Sequence, residues 1–274
     1  MRALRTVAAA CLAAGLLTAC GSSGSDGGAA EAKPSPSASS ESGGGQGGAL
    51  LGAKETLLAS AVVMEKAGSA KLTISGRTEG TGEFVWTAPK SFLLNAKSEG
   101  EDTKVLFVGD VMYIGADADT AATVGGRTWL KMDPKAAAQG VPGADAPGLA
   151  STMELIDPAV QLAVAAPTAI QAGSETVAGQ FTRHYRSTVP VDALVEKMQL
   201  ASELKTEVLA GLKKKGSTIS TEFWINAKGE LVQQSTNGLS TGSAKILYTG
   251  LGTVQPTRAP ADSEVFSPAD LLKQ

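Results

Sequence analysis

The sequence predicts an α+β fold in which an antiparallel sheet packs with helices, preceded by a flexible segment. Short stretches with an apolar residue at every second position recur between residues 69 and 255, as expected of antiparallel strands. Helical patterns stand before, between and within these strands. A glycine- and serine-rich stretch precedes them all, and such a composition cannot bury enough apolar surface to fold.

Residues 1–19 have the layout of a signal peptide. Arg2 and Arg5 give a positive start, and the uncharged run TVAAACLAAGLLTA follows. This run is too short to cross a bilayer, which takes about 20 residues. The four residues LTAC, ending at Cys20, resemble a bacterial lipobox, in which the cysteine is lipidated and the chain is cut before it. An ordinary secretory signal with a cysteine near the cut is the alternative.

The cysteine content agrees with a lipid anchor. Cys11 and Cys20 are the two cysteines of the chain, and Cys11 lies in the segment that would be removed. Lipidation would consume the thiol of Cys20, so we expect no disulfide and no thiolate metal site. The folded part must therefore be held together by packing alone.

We expect three parts in the chain. Residues 1–19 would be the lipoprotein signal peptide, residues 20–48 the lipidated cysteine with a disordered linker, and residues 49–274 the folded domain. Of the 28 residues from Gly21 to Gly48, 17 are glycine or serine, and a flexible chain of that length reaches about 30 Å. The net charge of −3, without a strong basic stripe, does not favour nucleic acid as a partner.

The first half of the folded part predicts one helix followed by a meander. The helix runs from Leu50 to Ala67, with Leu57, Ala61 and Met64 on one face and Gly68 as its C-cap. The period then changes to two. The predicted strands are SAKLTISGR, GEFVWTA, SFLLNAKS, TKVLFVG, DVMYIGA and RTWLKMD.

The second half mixes helices and strands. KAAAQGVPGADAPG is predicted as a loop, STMELI and DPAVQLAVAA as short helices, the second starting at Asp157 as N-cap. SETVAGQFTRHYRSTVP returns to strand through a turn at Gly179. An apolar stripe predicts a helix from Asp192 to about Lys213, laid against the sheet. The hairpin STISTEFWI–NAKG–ELVQQSTN and the strand SAKILYTGL follow, giving about eight or nine strands in two groups.

No catalytic, cofactor or metal motif is found. His184, the one histidine, stands beside Tyr185 in a strand pattern and is interpreted as structural. GLSTG around Ser240 matches the hydrolase elbow G-x-S-x-G, but strands flank it and the histidine precedes it, so a turn is the better interpretation. The metalloprotease, Walker A and dinucleotide motifs are absent. We therefore expect no enzyme and no cofactor; a serine hydrolase using Ser240 is the catalytic alternative.

The apolar strand and helix residues could line a ligand cavity. A curved sheet with an amphipathic helix against it can enclose an apolar pocket for a hydrophobic ligand. The alternative is that the same side chains pack on one another, and periodicity alone favours that filled core. The candidate lining residues are Leu72, Ile74, Phe84, Trp86, Phe92, Leu94, Phe107, Met112, Ile114, Leu194, Met198 and Leu204.

Four segments resemble a known family. SAKLTISG, WLKMD, ETVAGQFTRHYRSTVPVDALVEK and TEFWINAKGELVQ are similar to the actinobacterial lipoproteins of the LppX/LprG type, which share the LolA/LolB-like fold. The resemblance implies a curved antiparallel half-barrel packed over helices, with an apolar cavity for an acylated lipid or glycolipid. It implies attachment to the extracytoplasmic face of the cell membrane through Cys20. The alternative is a sensor or interaction module that binds a protein partner.

Overall fold

The computed structural model describes residues 51–76, 78–98, 101–133, 156–198, 202–214, 216–237 and 244–271. The predicted signal peptide, Cys20, linker and loop after Asp133 lie outside these ranges, as does Ser240. The strands within them are β1 Ser69–Gly76, β2 Thr78–Val85, β3 Ser91–Ser98, β4 Glu101–Val108, β5 Val111–Gly115, β6 Trp129–Met132, β7 Ile170–Val177, β8 Gln180–Pro190, β9 Thr218–Asn226, β10 Leu231–Asn237, β11 Ala244–Thr249 and β12 Val265–Phe266.

The first of the described helices is the longest, with 15 residues. The described helices are α1 Ala53–Ala67, α2 Ala118–Thr123, α3 Pro158–Ala165, α4 Val191–Lys197, α5 Ser202–Lys213 and α6 Pro268–Leu271, with 3-10 turns at Ala166–Thr168 and Asp262–Glu264. The predicted first helix is confirmed. It ends at Gly68, whose φ of 71° is left-handed and whose amide donates to the Met64 carbonyl at 3.1 Å, the usual C-cap arrangement of glycine.

The twelve described strands form one open sheet, in the order β12-β6-β5-β4-β3-β2-β1-β11-β10-β9-β8-β7. Neighbouring strands are antiparallel, except that β12 runs parallel to β6. The predicted α+β fold with an antiparallel sheet is thus confirmed. The two predicted groups of strands are one sheet, because β1 pairs with β11 and places Leu72 opposite Tyr248.

One face of this sheet carries the main core, and we call it the inner face. Alternation along each strand sends Phe84, Phe92 and Phe107 to the inner face, where helices α1 and α3 cover them. The opposite side is the outer face. Asp157 starts α3 as predicted, since its carboxylate accepts from the amides of Ala159 at 3.0 Å and Val160 at 3.4 Å.

The prediction of one helix from Asp192 to Lys213 is wrong. The chain leaves the helix at Met198, whose ψ of 143° is extended, and α5 begins at Ser202. The apolar residues of α4 and α5 then pack on each other in a cluster of Val191, Val195, Met198 and Leu212. In one straight helix, Val191 and Leu212 would lie about 32 Å apart and could not touch. The break therefore lets the two halves of the stripe bury each other.

A C-terminal segment that the sequence did not predict crosses the outer face. The Val254 amide donates to the Ser69 hydroxyl at 3.2 Å, and the Thr257 amide donates to the Ser91 hydroxyl at 2.9 Å. The segment then forms β12, where Phe266 is buried and the Arg127 guanidinium lies 5.9 Å from the centre of its ring. It covers one end of the outer face and leaves the other end open.

Candidate ligand-binding face

The structure brings the nine strand residues of the candidate lining together on the inner face. All nine are buried in one apolar cluster. Four of them form a row across neighbouring strands, with Phe84 opposite Phe92, Phe92 opposite Phe107, and Phe107 opposite Met112. The ring centres of Phe84 and Phe92 are 5.4 Å apart and nearly edge to face, a favourable geometry for aromatic pairs.

Helices α1 and α3 cover this row. Leu57, Ala61 and Met64 on α1 and Leu162 on α3 belong to the same apolar cluster as the strand residues. The indole N–H of Trp86 donates to the Met64 carbonyl at 2.9 Å, which fixes the end of α1 to the sheet. The helices that contribute buried residues to the inner-face cluster are therefore the first and the middle helix, whereas the late helix that the stripe from Asp192 predicted adds, among its described residues, only the partly buried Ala193.

The three helix residues of the candidate lining do not join the nine. Leu194 is buried outside the main cluster, and Met198 belongs to the separate cluster between α4 and α5. Leu204 lies in α5, and its side chain is outside what the structure describes. The sequence predicts one helix that holds these three residues against the sheet. This helix is broken, and the buried Leu194 and Met198 lie outside the inner-face cluster.

Sequence reasoning missed the other half of the inner face. Strands from the second group contribute Tyr185, Phe223, Ile225, Leu231 and Tyr248 to the same apolar cluster. Their alternation was visible in the strands HYRSTV and EFWIN, since residues two apart share a face. The sequence pattern did not indicate that β1 pairs with β11, and this pairing joins these strands to the first group.

A buried polar network interrupts the apolar face. The Gln234 side chain, almost fully buried on β10, donates to the side-chain oxygen Oε1 of Gln161 on α3 and accepts from the Tyr248 hydroxyl at 3.4 Å. Burial raises the pKa of the Tyr248 hydroxyl above its ordinary value, and the charge of Asp157 adds to this rise. The Asp157 carboxylate in turn lies 3.9 Å from the Lys90 ammonium. These contacts tie α3 to both groups of strands.

The open end of the outer face holds a groove of about 610 Å³. Its side chains come from five neighbouring strands and the loop after β5, and they are mostly polar. Lys104 lies across it, with its ammonium 5.1 Å from the centre of the Trp129 ring. The groove is thus mixed in charge and does not match the expected apolar cavity. It includes Glu79, Thr81, Asn95, Lys97, Asp102, Lys104, Asp117 and Trp129.

The contacts of His184 agree with a structural role. Its ring stacks on Trp224 with centres 4.4 Å apart and planes 4° apart, and Nε2 lies 3.8 Å from a Glu222 carboxylate oxygen. The same carboxylate accepts from the Arg186 guanidinium at 3.0 Å. In the described part of the chain, no three His, Cys, Asp or Glu side chains gather to hold a metal. Nor does any described helix combine the length and apolar composition needed to span a membrane.

Comparison with curated proteins gives one relative without a known function. The chain is 30% identical over 190 residues to an uncharacterised 31.2 kDa protein of Streptomyces griseus, from the rplA-rplJ intergenic region. The match covers 65% of this chain and 61% of that protein, so this chain spans about three fifths of its relative. No family model matches the sequence.

Comparison with solved structures gives LprF, the lipoprotein LppX and a LolA superfamily protein among the similar chains. The chain is similar to LprF from Mycobacterium bovis, with 15% identity, a TM-score of 0.47, and coverage of 76% of this chain and 97% of that one. LppX from Mycobacterium tuberculosis gives 14% identity, a TM-score of 0.42, and coverage of 71% and 94%. A LolA superfamily protein from Nitrosomonas europaea gives 8% identity, a TM-score of 0.28, and coverage of 77% of this chain and 96% of that one. These TM-scores are all below 0.5, so the fold rests on the strand order and register described above.

Proposed function

We propose that this chain is a lipid-anchored protein of the cell envelope, which binds a lipid or another amphiphile between the inner face and its helical cover. The observation that carries the proposal is the inner face itself. One apolar cluster extends across both groups of strands on this face, and two helices distant in sequence, α1 and α3, cover it. A helical cover can move without breaking any hydrogen bond between strands, so an acyl chain can enter beneath it.

The energetics favour a chain-like ligand. Each methylene that leaves water for an apolar site contributes about 0.8 kcal/mol, so a chain of about 16 carbons gains on the order of 10 kcal/mol. This gain is relative to water. A chain that comes from a membrane is already in apolar surroundings, so its contacts with the inner face must offset both the lost membrane contacts and the cost of separating α1 or α3 from the sheet. No reacting group is needed, because uptake and release are partition of the chain between a membrane and the protein.

The anchor is supported by the sequence around Cys20. A lipid on Cys20 and a linker of 28 residues, 17 of them glycine or serine, would keep the domain within about 30 Å of the extracytoplasmic membrane surface. Growth with an alkyne-tagged fatty acid should label the wild-type protein and leave Cys20→Ala unlabelled. Labelling of the variant, or release of the wild type into the medium, would contradict the anchor.

Native mass spectrometry tests the ligand. The domain is secreted from its native host with Cys20 replaced, purified without detergent and measured intact. We expect a mass excess that fits an amphiphile and disappears after extraction with organic solvent. A protein that is empty as purified and takes up no lipid probe in vitro would exclude the carrier function.

A second candidate function, docking of a protein partner, is favoured by the hairpin of β7 and β8. Strand β7 ends the sheet, and Ile170 on β7 and Phe181 on β8 are 59% and 63% exposed. An exposed strand edge with apolar side chains is suited to binding another chain. A photo-crosslinker at Phe181 should then capture one defined protein, and Ile170→Ser should abolish the capture.

A further inference from the structure

Among the residues that the structure describes, two hydroxyl groups on the inner side of the molecule are buried without a hydrogen-bond partner. They are Oη of Tyr185, a residue 1% exposed, and Oγ of Ser60, a residue 0% exposed. Leaving such a group unpaired in the folded state is unfavourable, so each one calls for an explanation. A third such atom, His184 Nε2, has the Glu222 carboxylate 3.8 Å away and lies on the outer face.

Tyr185 lies within the apolar face proposed to hold the ligand. It pairs with Phe223, which pairs with Gln234, so the three side chains form one row across β8, β9 and β10. Tyr185 and Phe223 belong to the main apolar cluster. Ser60 lies on the side of α1 that carries the buried Leu57 and Met64. Both unpaired hydroxyls thus belong to surfaces that meet in the proposed binding region.

The other polar group in this row is already satisfied by the protein. The Gln234 amide donates to Gln161 and to the Thr236 hydroxyl at 3.3 Å, and its carbonyl oxygen accepts from Tyr248. Gln234 therefore has no need of a ligand. The Tyr185 hydroxyl, two strands away in the same row, retains a donor that the protein does not use.

We propose that the Tyr185 hydroxyl donates a hydrogen bond to an ester or amide carbonyl of the bound ligand. This inference rests on the proposed function and names a specificity-determining residue of that site. A carbonyl oxygen satisfies the phenol, whereas a hydrocarbon or isoprenoid chain leaves it buried and unpaired. The site should therefore select acyl esters and amides over chains of equal length that lack a carbonyl.

A matched pair of lipids tests this selectivity. Methyl palmitate and n-octadecane have chains of equal length and differ in the ester group, and the alkane offers the phenol no acceptor. The wild-type domain should bind the ester lipid about 5- to 30-fold more tightly, the effect of about 1–2 kcal/mol from one hydrogen bond to a group otherwise unpaired. Tyr185→Phe should bring the two affinities together by weakening the ester lipid alone. Phe223→Leu, in the same row, should change both affinities by the same factor.

The urea unfolding midpoint of the ligand-free protein separates recognition from a structural role. Tyr185→Phe should leave the midpoint unchanged or raise it, because it removes an unpaired hydroxyl and keeps the ring. A lower midpoint would show that the hydroxyl bonds within the protein and would overturn the inference. Equal binding of the two lipids by the wild type would overturn it while leaving the proposed function intact. If neither lipid binds, both fail.

Discussion

Replacing Leu57 with alanine is expected to lower the free energy of unfolding by about 3–5 kcal/mol. The Leu57 side chain is 0% exposed and belongs to the apolar cluster on the inner face. Removing three carbons loses about 2.4 kcal/mol of transfer free energy, at about 0.8 kcal/mol per methylene. The cavity left between α1 and the sheet adds the remainder. At about 2–4 °C per kcal/mol for a domain of this size, the melting temperature should fall by about 6–20 °C.

Leu58→Ala is the matched control for this change. Leu58 is the next residue of α1 and is 41% exposed, so the variant has the same change in helix propensity without a buried cavity. It should lose less than about 1 kcal/mol. Urea unfolding followed by tryptophan fluorescence measures both, because Trp86 is buried and bonded to the Met64 carbonyl. Equal losses in the two variants would refute the docking of α1 through its Leu57 face.

Three further predictions concern stability. Asp157→Ala should lower the free energy of unfolding in urea by about 1–2 kcal/mol, since it removes the N-cap of α3. Asp157→Asn should retain most of this stability. Gly68→Ala should lower the free energy of unfolding by more than Gly109→Ala does. Both glycines have positive φ, but only at Gly68 would a Cβ lie 2.9 Å from Thr87 Oγ1. Equal losses in the two variants would contradict this clash. The pKa of Tyr248 is raised in the folded state. The contribution of Tyr248 to the free energy of unfolding should therefore be complete below pH 10 and should decline above pH 10 by up to about 1.4 kcal/mol per pH unit. Alkaline unfolding of Tyr248→Phe should lack that decline.

Local patterns in the sequence predicted the first half of the fold and one half of the inner face. The α1 face of Leu57, Ala61 and Met64 follows from helical spacing, and the glycine that ends it is adjacent in sequence. The nine strand residues lie on one face because a period of two fixes the face of every second residue once the strand is known. These features depend on residues fewer than about ten positions apart.

The features that the sequence did not predict depend on distant residues. The stripe from Leu194 to Leu212 fits one helix on a sheet as well as two helices packed on each other, and periodicity cannot distinguish these arrangements. The pairing of β1 with β11 joins residues 168 to 178 positions apart. The C-terminal segment crosses the outer face through backbone amides that donate to Ser69 and Ser91, and no side-chain pattern reports such contacts.

The two covering helices are attached to the sheet in different ways. Helix α3 is held by buried polar contacts along its length, since Gln161 accepts from Gln234 and the carbonyl of Ala165 accepts from the Ser187 hydroxyl at 2.9 Å. Moving α3 would leave those groups buried and unpaired, at about 1–3 kcal/mol each. Helix α1 has its polar attachment at its C-terminal end, through the Met64 carbonyl and Trp86, while its N-cap has no side-chain bond.

This difference decides which helix yields to a ligand under the proposed function. Separating the N-terminal half of α1 from the sheet breaks apolar contacts, such as those of Leu57, and an acyl chain can replace these contacts in kind. A chain cannot replace the hydrogen bonds of Gln234 that moving α3 would break. The N-terminal half of α1 is therefore the part of the cover that an entering chain displaces at the lower cost, and α3 stays in place with the polar network intact.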